Sequence, residues 1–246
     1  ALATICAGTL AAGSANAFNM VIESDLDKLM ARTAKRPIVT GLISKKNATV
    51  FATSIGIISL VMFWIFTTPL ATLLALIAIV FYVVVYTMTL KQRTAQNIVW
   101  GGAAGCMPVL IGWAAVTNSL SQTAWAFFFV IFFWTPPHFW ALALYRREDY
   151  KQSGLPMLPV THGERFTLLH ILLYTLVLIA ATILPFIHKM SGYFYLASAL
   201  ILGGMFLAYA IALFRNYSDD LAKRTFRFSI IYLSLLFAAL LIDHYL

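Results

Sequence analysis

Only nine carboxylates serve the whole 246-residue chain, and they are unevenly placed. Six fall in two groups, Glu23, Asp25 and Asp27 in one, and Glu148, Asp149 and Glu164 in the other. Asn19, Glu23 and Asp27 are spaced i, i+4, i+8. At about 3.6 residues per turn these three project from nearly one helical face, with Asp25 pointing the opposite way unless the helix unwinds there. Carboxylates stacked at that spacing repel one another unless a cation lies between them. Mg²⁺ suits such a place, because it takes oxygen ligands and typically keeps waters, one or two carboxylates and substrate phosphates. Arg32, Lys35 and Arg36 follow at once, in DLDKLMARTAKRP. Acids to hold a metal, followed by bases to hold phosphate charge, form a candidate magnesium-diphosphate cradle.

A second polar tract reads FFWTPPHFWALALYRREDYKQSGLPMLPV over residues 132–160. Pro136 and Pro137 free backbone carbonyls inside an apolar run, which is tolerated where a helix lines a cavity. His138 follows directly and can bond a freed carbonyl, relay a proton or ligate an iron. The rings around it, Phe132, Phe133, Trp134, Phe139 and Trp140, suit lipid or core, and equally a planar apolar ligand or a cationic intermediate. Glu148 and Asp149 place a second acidic group on the same membrane face as the first. Tyr86 and Lys91 end the third apolar run, and Gly101–Gly105 reads most simply as close helix packing.

The elements that must carry these residues follow from composition. Hydrophobic residues make up 61% of the chain and charged residues 11%, against about 25% charged in a soluble domain. This excludes a water-soluble globular protein. With two cysteines, Cys6 and Cys106, neither a disulfide framework nor a cysteine-rich metal site can form. A membrane-crossing helix needs roughly 20 mostly apolar residues. Eight segments qualify, near 1–22, 49–67, 69–90, 97–117, 123–145, 166–187, 193–214 and 228–244, and none alternates as barrel strands do. The first, third, fifth and seventh loops hold every Lys and Arg except Lys189. The net charge of +8 therefore reflects topology rather than a nucleic-acid-binding face, and by the positive-inside rule the basic loops face the cytoplasm, or the matrix of a mitochondrion. Residues 1–22 lack the basic start of a secretory signal. The chain begins at Ala rather than Met, and an upstream piece is expected.

NMVIESDLDKLMARTAKRP resembles the first Asp-rich motif of the UbiA superfamily of intramembrane prenyltransferases. YTMTLKQRTAQNIVWGGAAGCMPVLIGW and WTPPHFWALALYRREDYKQSGLPMLPV resemble, more specifically, the protoheme IX farnesyltransferases (haem O synthases), and the likeness covers essentially the whole chain. The resemblance implies an all-α, polytopic membrane helix bundle of the UbiA type, forming a single prenyltransferase domain over 1–246. That family has nine helices around a cavity open to the cytoplasm and to lipid, so its first helix is expected to be missing from these eight spans.

The implied reaction transfers farnesyl from farnesyl diphosphate to a vinyl group of haem b, making haem O for haem-copper oxidases. Mg²⁺ would be the cofactor, haem b a substrate, and haem A synthase or oxidase-assembly proteins the partners, with no nucleic acid involved. The expected place is a bacterial inner membrane, with the mitochondrial inner membrane as alternative and the active site on the cytoplasmic side. Carried over by position, Asn19, Glu23, Asp27 and Asp149 would bind metal and act in catalysis. Arg32, Arg36, Lys91, Arg93 and Arg147 would bind diphosphate, and His138 and Trp140 haem. Glu23 stands where many members have Asp. Ser153 stands where the second motif has its second Asp, which makes Glu148 a candidate substitute. Two other readings stand beside this one. A different aromatic acceptor, such as a quinone precursor or chlorin, is opposed by the TPPHFW tract. A cation-coupled transporter is opposed by the gathering of acids at one face.

Overall fold

A computed structural model describes residues 1–30 and 33–246. Among the described residues there are helices and no strands, and eight helices are long and apolar enough to cross a membrane. The chain packs as two compact units. The first holds residues 1–120 and 149–156, the second 121–148 and 157–246.

In the first unit, α1 (Leu2–Ile22) packs along α3 (Lys45–Phe66). Small residues permit the close approach, with Ala7, Ala11, Ala52 and Gly56 at the seam. Ser14 Oγ donates to the Ala52 carbonyl at 2.8 Å and Ser59 Oγ to that of Ala7 at 2.7 Å. A Cβ added at Gly56 would lie 2.7 Å from Ser14 Oγ, so a larger residue there would displace the Ser14 hydroxyl from its bond to Ala52. Without a water-driven hydrophobic force in lipid, small-residue packing and interhelical hydrogen bonds are what hold such a pair.

The next span, Pro69–Arg93, is not uniform. It starts as α4 (Pro69–Val80), capped by Thr68 Oγ on the Ala71 amide with Pro69 in its first turn, a regular helix start. It widens into a ten-residue π-helix, Phe81–Leu90, and closes with the short α5 (Lys91–Arg93). Then α6 (Asn97–Thr117) ends on Asn118 in the left-handed conformation, φ 50°. The short α2 (Ser24–Asp27) continues α1 after a break.

In the second unit, α7 (Gln122–Tyr145), α10 (Gly163–Ile187), α11 (Tyr193–Arg215) and α12 (Asp219–Asp243) pack around Val130, Leu178, Tyr195, Phe206, Tyr232 and Leu236. Pro136 and Pro137 sit inside α7 without ending it. Their missing N–H groups leave two carbonyls of the preceding turn unbonded by the ladder. Two short helices, α8 (Arg147–Gln152) and α9 (Leu158–Thr161), complete the chain.

The apolar segments and the helices agree to within four residues at each end except at the last span. It begins at Asp219, capped by Ser218, rather than near 228. Its first turns are polar, with Asp219 and Asp220 at the positive end of the helix dipole and an Arg224–Asp220 pair at 2.8 Å. Such charges favour a helix start but are invisible to a search for apolar runs.

Candidate active site

α1 stops at Ile22, and Glu23 takes φ −92°, ψ 7°, outside the regular helix. The backbone register nevertheless carries across the break. The Glu23 amide donates to the Asn19 carbonyl at 2.9 Å, and the Asp27 amide to that of Glu23 at 2.8 Å. The three residues spaced four apart are thus joined by their own main chain. All three are buried, Asn19 6%, Glu23 2% and Asp27 1% exposed. Asp25 turns outward, its side chain 74% exposed, and pairs with Lys28 at 2.8 Å and Lys45 at 3.2 Å. Hydrogen bonds from Lys28 first, then Lys45, hold its carboxyl below the ordinary carboxylate value.

Each buried acid meets one base. Lys91 Nζ lies 2.6 Å from Glu23 Oε2, and Arg36 Nη1 lies 2.6 Å from Asp27 Oδ2. Buried charge is costly unless paired, and these pairs satisfy that need. One atom is left over: Glu23 Oε1 is buried and has no hydrogen-bond partner. Asn19 Nδ2 donates to Thr87 Oγ1 at 3.3 Å, and the Thr87 hydroxyl donates to the Tyr82 carbonyl at 2.8 Å. Among the described residues no three His, Cys, Asp or Glu side chains stand close enough to hold a metal alone.

Of the other predicted residues, Asp149 sits half-buried on α8 in the same unit. Arg93 is exposed on α5. Arg147 is exposed in the second unit, 3.8 Å from Glu148. Arg32 lies outside the described residues. Ser153 is buried and donates to the Tyr150 carbonyl at 3.0 Å.

Beside the acid ladder lies a cavity of about 610 Å³, walled by α1, the span Pro69–Arg93 and α6. Its lining is mostly apolar and small, including Ala12, Ala15, Gly105 and Gly112, with Thr4, Thr9, Asn16 and Tyr82 as polar members. A Cβ at Gly105 or Gly112 would meet nothing within 4 Å. Tyr82 Oη stands 3.5 Å from Asn16 Oδ1. Asn16, Tyr82 and Thr87 are absent from the sequence-derived set. Asn16 carries a usable signal, a polar residue one turn before Asn19 in an apolar span. Thr87 carries almost none.

In the second unit, His138 stacks between Trp134 (ring centroids 4.2 Å) and Phe226 (4.6 Å). Its Nδ1 is 2.6 Å from Ser229 Oγ, while Trp134 Nε1 donates to the Ser229 carbonyl at 2.8 Å. Since Ser229 Oγ donates to the Phe226 carbonyl at 2.6 Å, Nδ1 carries the ring proton, and in the neutral ring Nε2 keeps its lone pair. Trp140, two residues on, is fully buried and faces α10, edge-on to His170 and Tyr174. His138 and Trp140 therefore address different helices.

The geometry is that of an acid–amide ladder with attendant bases beside an apolar chamber. Similarity to known proteins agrees. The model of the UbiA prenyltransferase family matches residues 1–237. The protoheme IX farnesyltransferase of Polynucleobacter asymbioticus is 62% identical over 236 residues, which is 96% of this chain and 80% of the relative. That of Cupriavidus taiwanensis is 59% identical over 96% of this chain and 77% of its own. Among solved structures, a digeranylgeranylglyceryl phosphate synthase superposes with TM-score 0.82 at 19% identity, over 99% of this chain and 85% of that one. A UbiA homologue from Archaeoglobus fulgidus, bound to GPP and Mg²⁺, gives TM-score 0.68 at 17% identity, over 98% and 88%. The chain belongs to the UbiA prenyltransferase family.

Proposed function

We propose that this protein transfers the farnesyl group of farnesyl diphosphate to a vinyl group of haem b, yielding haem O and diphosphate. The acceptor and the transferred group are those in the name of relatives 56–62% identical to it. The observation that carries the donor half is Glu23 Oε1, a buried carboxylate oxygen with no partner, in a ladder beside an apolar chamber. Magnesium fits there by donor chemistry: Asn19 Oδ1, Glu23 and Asp27 supply the one or two carboxylates plus oxygen that Mg²⁺ uses with substrate phosphates and water. Asp149 is assigned to the same complex from the other acidic group. When bound, the ion would neutralise charge that builds on the diphosphate as its bond to farnesyl breaks.

The chain's own residues do the rest. Lys91 and Arg36, paired with Glu23 and Asp27 at 2.6 Å each, are assigned to the diphosphate as the positive groups nearest the ladder. Arg32, Arg93 and Arg147 are assigned to the same anion. The small-residue chamber takes the farnesyl tail away from water, and orients its first carbon toward the ladder. Cleavage of the allylic C–O bond leaves an allylic cation, and the electron-rich vinyl carbon of haem forms the new C–C bond. Water then adds its hydroxyl to the remaining vinyl carbon and releases a proton, so atoms and charge balance. Water must enter late, since it would otherwise capture the allylic cation first. His138, with Nε2 free of the Ser229 bond, is assigned to orient haem.

Orientation follows from charge. The loops with sixteen of the seventeen basic residues are assigned to the cytoplasmic side by the positive-inside rule, Glu23 and Asp27 with them, and the membrane is assigned as a bacterial inner membrane. The purified chain with Mg²⁺, farnesyl diphosphate and haem b should form a farnesylated, hydrated haem, read by mass spectrometry of extracted haems. Product from a quinone precursor or chlorin, with none from haem b, would refute the acceptor.

A further inference from the structure

Among the described residues the spans hold one π-helix, Phe81–Leu90, and it falls where the third span meets the acid ladder. In an α-helix each residue turns about 100°, so Thr87 would sit about 140° around from Tyr82, and Lys91 about 180°. The wider winding brings residues five apart closer to one face. The Lys91 amide donates to the Tyr86 carbonyl, and the Thr87 hydroxyl to the Tyr82 carbonyl, each five residues back. Tyr82, Thr87 and Lys91 consequently all reach α1 or its continuation, at Asn16, Asn19 and Glu23 respectively. Isolated π-turns recur at functional sites.

We propose that Thr87 is a positioning residue that fixes which way the Asn19 amide faces. The single Thr87 hydroxyl proton is committed to the Tyr82 carbonyl, so toward Asn19 its oxygen can only accept. It therefore selects the Asn19 NH₂ group, as the 3.3 Å contact shows, and turns Oδ1 to the other side. A divalent cation needs that oxygen and is repelled by N–H. A residue that could donate at position 87 would let the amide flip and present the wrong atom. Lys91, on α5 at the end of the same span, pairs with Glu23 Oε2, and Glu23 Oε1 has no partner.

The inference rests on the proposed use of magnesium and farnesyl diphosphate, and a binding experiment without haem, so without turnover, tests it. Magnesium-dependent binding of farnesyl diphosphate to the full chain is measured by calorimetry for the parent, Thr87→Val and Thr87→Ser. Val keeps the branched shape without the acceptor, and Ser keeps the acceptor in a smaller side chain. Loss of one orienting hydrogen bond should weaken binding roughly tenfold in Thr87→Val, with Thr87→Ser close to the parent and the thermal midpoint of Thr87→Ser unchanged. Parent-like binding by Thr87→Val, or equal weakening in both variants, overturns the positioning role and leaves the proposed reaction standing. Absence of magnesium-dependent binding by the parent overturns the proposed reaction itself.

Discussion

At the scale of single residues, three carboxylates within five positions have different fates. Glu23 and Asp27 are buried on bases, whereas Asp25 is solvent-facing with two lysines. Replacing Glu23 or Asp27 by the matching amide should lower haem O formation by about 10²-fold or more, the usual loss when a group stabilising developing charge is removed. Asp25→Asn should change it less than about twofold, because exposed pairs contribute little. The sign of any pH effect at Asp25 follows from its depressed carboxyl. Its small contribution is present above the unfolded carboxylate value and is lost as pH falls through the lower folded one. Turnover measured from pH 6 to 8 should therefore be the same for Asp25→Asn and the parent. The acid ladder was legible in the sequence because i, i+4, i+8 is a local rule. The pairing of Glu23 with Lys91, 68 positions away, was not. Spacing names bases near the site without saying whether they rest on phosphate or on an acid.

At the scale of elements, the spans were legible because twenty apolar residues are a strong signal. The change of winding inside the third span was not, since FYVVVYTMTL has the composition of any membrane helix. Its consequence is a face made of Tyr82, Thr87 and Lys91 that no 3.6-residue template would draw. The chamber depends on what is missing from α1 and α6. Ala12, Ala15, Gly105 and Gly112 leave space that larger residues would fill. Gly105→Leu has room to be accommodated, as nothing lies within 4 Å of its Cβ position. It should raise the KM for farnesyl diphosphate several-fold while leaving that for haem b alone, measured by initial rates with each substrate varied. Equal changes in both would deny the chamber its role in holding the tail. By contrast Gly101 has no such room, because a Cβ there would clash with the Tyr86 ring. The run Gly101–Gly105 therefore mixes close packing at one end with open space at the other, where the sequence suggested packing alone.

At the scale of the whole molecule, the two packed units hold different groups of polar side chains. The ladder, its bases on α5 and the loop after α2, and the chamber belong to the first, and the His138–Ser229 anchor to the second. The family match runs through both. The two acid–base pairs have a further consequence for assembly. Two negative and two positive groups cancel, so the interior of the first unit folds without importing an ion. Unlike a zinc finger, whose chain collapses when its metal is stripped, this protein should keep its shape in a chelator. EDTA should abolish turnover yet leave the thermal midpoint of the detergent-purified chain unmoved. The proposed cation would then be a travelling companion of the substrate rather than a keystone of the fold.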